Sequence, residues 1–190
     1  MKPKVLIFLV LTAFASVGIS TVLVPQPSEV ALIRFRNREF DEARRLYEKM
    51  WQEGRQTVEI AIPLTQLYLQ DGAVDRAVEI METFIEAHPG DVEAHHKLAQ
   101  YYQYAQRPND YVRTLNTIAE LQPTEPVLRE LSASYNFTGE YAEQIATLQA
   151  LLDLHAEEPQ DFIDLVHLQA NQGQYDAALS TLEELRSRHP

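Results

Sequence analysis

The sequence repeats itself with a period of about 34 residues, and this period restricts the possible folds more than any other feature of the chain. Four stretches can be superposed, and their turn positions fall at Gly72, Gln106, Gly139 and Gly173. A period of this length is typical of one supersecondary unit that cannot bury its apolar face alone and therefore stacks on neighbouring copies. The sequence thus predicts a linear stack of similar units.

Within each repeat the apolar residues recur at helical spacing, and no segment alternates as a strand would. Small residues such as Ala77 and Ala178 fall where two helices would approach closely, and leucines such as Leu64 would fill the facing seam. We therefore predict an all-α chain. Its helices are expected at approximately 27–36, 40–53, 59–70, 74–88, 92–105, 108–121, 126–137, 141–155, 160–171 and 175–188.

This pattern resembles the tetratricopeptide repeat, in which W-x2-L-G-x2-Y is followed by A-x3-F and then by proline. The second unit carries Ala61, Leu64, Thr65 and Tyr68, then Ala77, Met81 and Pro89. The resemblance implies a helical-hairpin solenoid of about five repeats, over units of approximately 26–57, 58–91, 92–124, 125–158 and 159–190. It also implies that the first helix of each pair lines a concave face. Tyr111 and Gln144 depart from the pattern, since they stand where a small residue is expected, and we predict looser packing there.

Residues 1–25 differ in character from the repeats. Val5 to Val24 form a run of twenty positions without a charge, preceded by Lys2 and Lys4. A helix of that length is about 30 Å long, which matches the hydrocarbon core of a bilayer. We predict a single-pass N-terminal transmembrane anchor, or uncleaved signal, in a bacterial inner membrane. Basic residues are retained inside, so the N-terminus would be cytoplasmic and the repeat domain periplasmic. A cleaved signal peptide is the alternative and would export the same domain.

Composition and motifs argue against several functions. The chain has 16 Lys and Arg against 28 Asp and Glu, without a basic stripe, so we expect no nucleic-acid partner. It has no cysteine, which removes disulfides and thiolate sites. Adjacent His95 and His96 would point about 100° apart on a helix and cannot chelate one ion together. Catalytic motifs such as G-x-S-x-G and H-E-x-x-H are missing. We expect no enzymatic activity, no cofactor and no metal site.

The concave face remains as the candidate for function. It is rich in amides and aromatic rings and poor in charge, which suits an extended ligand such as a peptide or a sugar chain. The predicted partner-binding residues are Gln66, Gln70, His96, Gln100, Gln103, Tyr104, Arg129, Asn136, Phe137, His167 and Asn171. Binding is expected to centre on the third and fourth units. Two alternatives stay open: these are ordinary polar surface residues, or Phe137 packs beneath the turn before Gly139.

We therefore expect a non-catalytic, membrane-anchored scaffold that binds a protein partner in an envelope or membrane complex. The alternative is a polysaccharide-binding or other polymer-binding module of an envelope export system. That alternative rests only on a resemblance in architecture to the repeat domains of such systems.

Overall fold

The structure is a computed structural model that describes residues 26–154 and 158–189. All regular elements in these residues are α-helices, as the sequence predicted. The ten helices are α1 Pro27–Arg36, α2 Phe40–Gln52, α3 Val58–Gln70, α4 Val74–Ala87, α5 Val92–Tyr104, α6 Pro108–Leu121, α7 Glu125–Thr138, α8 Tyr141–Asp153, α9 Pro159–Asn171 and α10 Tyr175–Arg188. The predicted boundaries agree with these to within two residues.

The predicted anchor over residues 1–25 lies outside the described residues. Among the helices that the structure describes, none combines the length and apolar character needed to cross a membrane.

One residue with a positive φ angle recurs in the turn inside each helix pair. The φ angles are 73° at Gly72, 54° at Gln106, 77° at Gly139 and 74° at Gly173. Arg38 adopts the same conformation at 64° and lies one full period before Gly72, so it marks the turn of the first repeat. Three of the five positions carry glycine, which adopts this backbone region without steric cost. The period found in the sequence is therefore present in the backbone.

The chain divides into two compact units, Met1–Ile80 and Met81–Pro190, with the boundary inside α4. In the first unit α1 packs on α2, and α2 packs on α3. Ala43 and Ala77 are completely buried at equivalent positions of α2 and α4, and Leu64 of α3 is also fully buried. Small residues thus occupy the close approaches in this unit, as the sequence predicted.

In the second unit each of the helices from α5 to α10 packs on its neighbour in the chain. One core cluster gathers around Leu115 and Ile118 of α6 and includes Leu131 of α7. A second gathers around Leu148 of α8 and Phe162 of α9. Apolar residues of α5 to α9 are therefore buried between helices. On α10, by contrast, Leu179 and Leu182 are 60% and 44% exposed.

A polar contact of the same kind links consecutive repeats at three places. It joins a tyrosine of a first helix to a side chain of the preceding second helix. The pairs are Tyr68 with Glu48 (2.8 Å), Tyr102 with Glu82 (2.5 Å) and Tyr135 with Asn116 (2.5 Å). Burial, together with donation of the phenol proton to glutamate, raises the pKa of Tyr68 and of Tyr102 to about 12.

Candidate partner-binding face

The predicted partner-binding residues are all exposed except Arg129, which is partly buried. Gln66 and Gln70 lie on α3 in the first unit. The others lie in the second unit, on the first helices of three consecutive repeats. They are His96, Gln100, Gln103 and Tyr104 on α5, Arg129, Asn136 and Phe137 on α7, and His167 and Asn171 on α9. The structure thus leaves most of the predicted set exposed on α5, α7 and α9.

Two exposed aromatic rings occupy equivalent positions in this set. Tyr104 and Phe137 each lie two residues before the left-handed turn residue of their repeat, and Asn171 takes the same place in the next repeat. Tyr104 is 65% exposed and Phe137 is 90% exposed. The alternative in which Phe137 packs beneath the turn is therefore wrong. A phenyl side chain left in water forgoes about 1.5–3 kcal/mol of burial free energy, which favours a ligand that covers it.

Arg129 has a different role from the one its position predicted. Its Nη1 and Nη2 donate to Oδ1 and Oδ2 of Asp161 over 2.7 and 2.9 Å, and its Nε donates to Glu125 over 2.9 Å. Asp161 is only 4% exposed, at the first turn of α9. The hydrogen bonds to Asp161 and Glu125 raise the pKa of Arg129. We therefore assign Arg129 to the link between α7 and α9 and remove it from the partner-binding set.

Glu130 was not predicted to belong to this region, although it lies two helical turns before Phe137 on α7. The hydroxyl of Tyr111 on α6 donates to its carboxylate, and Gln103 is hydrogen-bonded to the same tyrosine. Burial and the bond to Glu130 raise the pKa of Tyr111. Tyr111 thus ties α6 to α7 instead of only disturbing their packing. The spacing of Tyr111 and Glu130 along the chain equals that of Asn116 and Tyr135, and this could have suggested the pair.

The adjacent histidines of α5 lie in different environments. His95 is buried, with Nε2 2.9 Å from the carbonyl oxygen of Pro89, whereas His96 is exposed. Gln144 stands at the close approach that Ala43 and Ala77 occupy in other repeats. Its Oε1 is buried and makes no hydrogen bond to the described residues.

Among the residues that the structure describes, no group of three or more His, Asp or Glu is arranged to hold a metal ion.

Comparison with known families agrees with this architecture. Two families, both described as tetratricopeptide repeat, match residues 34–101 and 168–190. Tetratricopeptide repeats are therefore found in both units of the chain. No curated protein matches the sequence.

Among solved structures the chain is similar to MamA. For the structure named MamA AMB-1 the TM-score is 0.55 at 22% identity, over 85% of this chain and 88% of that one. For another crystal structure of MamA protein the TM-score is 0.54 at 16% identity, over 85% and 89% of the two chains. At these identities the likeness shows the fold alone.

Proposed function

We propose that this chain is a non-catalytic tetratricopeptide-repeat scaffold that binds a protein partner through one face of its second unit. We call this the binding face and define it as Gln100, Tyr104, Asn136, Phe137 and His167. The observation that carries the proposal is the exposure of Tyr104 and Phe137 at equivalent positions of consecutive repeats. Aromatic side chains dominate the energetics of protein interfaces when a partner buries them.

The chemistry of the binding face fits a peptide-like ligand. Gln100 and Asn136 each offer one amide donor group and one acceptor group, which match the alternating C=O and N–H groups of a backbone. No arginine or lysine belongs to the face, since Arg129 is engaged by Asp161. Glu130 of α7 and Asp164 of α9 are exposed nearby in sequence. A neutral or basic segment of a partner is therefore favoured over an acidic one.

We further propose that Val5 to Val24 anchor the scaffold in a bacterial inner membrane, with the repeats on the periplasmic side. The support is the length of the uncharged run and the two lysines before it. Three arginines at positions 34, 36 and 38 oppose this orientation by the same rule, although large domains are translocated largely regardless of charge. A phosphatase fused after Pro190 should be active if the domain is exported. An inactive fusion would place it in the cytoplasm.

The binding proposal is tested by truncating the two rings together. The double variant Tyr104→Ala, Phe137→Ala should recover much less protein partner from envelope extract. An aromatic side chain that a partner buries typically contributes ~2 kcal/mol or more to binding. Its melting temperature should change little, since both rings are exposed in the free chain. The matched control is Tyr175→Ala, which removes a 68% exposed tyrosine of α10 that is not part of the binding face.

The two function hypotheses predict different outcomes in that experiment. Loss of protein recovery in the double variant, with the Tyr175 control unaffected, supports a protein partner. If the wild-type chain instead binds oligosaccharides and the double variant does not, the polymer-binding alternative is correct. Equal recovery by all three chains would exclude the binding face as the site of interaction.

A further inference from the structure

The charge of the chain is distributed unevenly. Residues 34–55 contain seven Lys and Arg against five Asp and Glu, whereas residues 56–189 contain seven against 22. The first helix pair therefore carries a small net positive charge and the rest of the chain a large negative one. A local excess of basic residues on an acidic protein indicates a surface for an anionic ligand.

Three of these basic residues line a cleft between α1 and α2, which we call the basic cleft. It has a volume of about 430 Å³ and is lined by Val30, Arg34, Glu42, Arg45, Leu46 and Lys49. Val30 and Leu46 contribute apolar surface. Ile33, one turn from Val30 on α1, is 53% exposed. The region thus combines cationic side chains with an exposed aliphatic one.

The ion pairs identify which cations are available to a ligand. Arg34 is bound to Glu39 and lies 3.3 Å from Glu42, so it is neutralised within the cleft. Nε of Arg45 donates to the backbone oxygen of Asp41 over 3.3 Å, and no carboxylate of the described residues pairs with its guanidinium. Nζ of Lys49 is 4.0 Å from Glu53, at the limit of an ion pair. Arg45 and Lys49 therefore supply the positive charge of the cleft.

The position of α1 in the sequence indicates what this charge faces, if the proposed anchor is correct. Pro27, the first residue of α1, follows Val24 by three residues, which span at most about 11 Å of extended chain. The headgroup layer on each side of a bilayer is about 5–8 Å thick. The first helix pair would then lie against the headgroups of the membrane that holds the anchor.

We propose that the basic cleft binds anionic lipid headgroups of that membrane, with Arg45 and Lys49 contacting the phosphates and Ile33 directed toward the acyl boundary. The proposal rests on the proposed membrane anchor and assigns the first helix pair a role separate from the binding face. Basic side chains near an anionic surface and an exposed aliphatic residue are the two contributions that hold helices at a membrane interface.

The test uses the full chain in lipid vesicles. Because the sequence has no cysteine, Ile33→Cys provides a single site for a fluorophore. In vesicles containing phosphatidylglycerol, headgroup-attached quenchers should reach this label, and in phosphatidylcholine vesicles much less so. Adding Arg45→Gln and Lys49→Gln should reduce the ratio of headgroup-bound to detached first helix pairs about 25-fold, because each basic residue contributes a factor of about five. The control is Lys97→Gln with Arg113→Gln, which removes two cations of the second unit.

The possible outcomes distinguish a failure of the lipid proposal from a failure of the anchor proposal. Flotation of the vesicles after alkaline extraction reports the anchor alone, and loss of the chain from the floating fraction would refute the anchor. If the chain floats but quenching is equal in the two lipids, or unchanged in the Arg45 and Lys49 variant, the lipid proposal is overturned. If soluble polyglutamate changes the fluorescence of the label while anionic vesicles leave it unquenched, the proposal is likewise overturned, in favour of an acidic protein ligand.

Discussion

Removing the guanidinium of Arg129 should loosen the contact between α7 and α9. The substitution Arg129→Met keeps much of the aliphatic stem and removes every donor. It leaves the Asp161 carboxylate, which is 4% exposed, without the two hydrogen bonds it accepts from Arg129. Glu125 and Glu158 lie within 3.6 Å of this guanidinium, and the substitution also removes the positive charge that offsets their mutual repulsion.

The size of the stability loss in Arg129→Met depends on how deeply Arg129 and Asp161 are buried. Breaking a fully buried ion pair costs about 3–5 kcal/mol, and a hydrogen bond to a charged group contributes about 1.5–3 kcal/mol. The Arg129 side chain is 32% exposed, so water can partly replace it, and the lower part of this range applies. We expect a loss of about 2–3 kcal/mol, which corresponds to amide exchange about 30- to 150-fold faster wherever opening requires this contact.

Hydrogen exchange measured by mass spectrometry resolves this effect, because it reports the opening free energy segment by segment. Peptides from α9 should exchange faster in Arg129→Met. The control Arg113→Met removes an exposed arginine that pairs with Asp110 on its own helix, and should change exchange little. The double variant Arg129→Met, Asp161→Leu should recover most of the protection, since no buried charge remains. Equal exchange in the two single variants would show that the Arg129–Asp161 contact does not hold α9 in place.

Three further predictions concern stability. Gly173→Ala should lower the free energy of unfolding by about 1–2 kcal/mol, because the φ angle of Gly173 is +74° and alanine is strained there. Gly90 does not have a positive φ angle, so Gly90→Ala should not have this effect, and thermal melts compare the two variants. Gln144→Ala should leave the melting temperature unchanged or raise it, because it removes a buried oxygen that has no partner in the described residues; a clear fall would contradict this. The raised pKa values of Tyr68 and Tyr102, about 12 against an ordinary 10, favour the protonated phenol in the folded state. Their contribution is therefore complete below pH 10 and lost between pH 10 and 12. Circular dichroism over that range should show a shallower loss of stability in Tyr68→Phe, Tyr102→Phe than in the wild type.

The helix pattern could be predicted from the sequence because its signals are local and repeated five times. Apolar spacing, small residues at the crossings and turn residues such as Gly72 and Gly139 all indicate the same period. Arg38 was missed because arginine, not glycine, occupies the left-handed position of that turn, although it lies one full period before Gly72; Asn37 stands one residue earlier, with φ of −75°. An L-residue in the left-handed region is not recognisable from its identity alone.

The candidate site could be predicted only in part, because exposure follows from helical phase but pairing does not. Helical phase alone predicted that Gln100, Tyr104 and Phe137 are exposed on their helices, as they are. It did not show that Arg129 is bound by Asp161 of the next repeat, since many carboxylates could have been its partner. Such long-range contacts depend on the register between helices, which the spacing of one sequence does not specify.

Site-specific photo-cross-linking in cells shows whether the binding face contacts a protein. A photoreactive phenylalanine derivative at position 137 replaces a ring that is 90% exposed, so it should not disturb the fold. A cross-link to a discrete protein is expected from this position and from position 104, and none from position 175, whose tyrosine is about as exposed as Tyr104 (68% against 65%). Cross-links from position 175 alone, or from no position on the face, would contradict it.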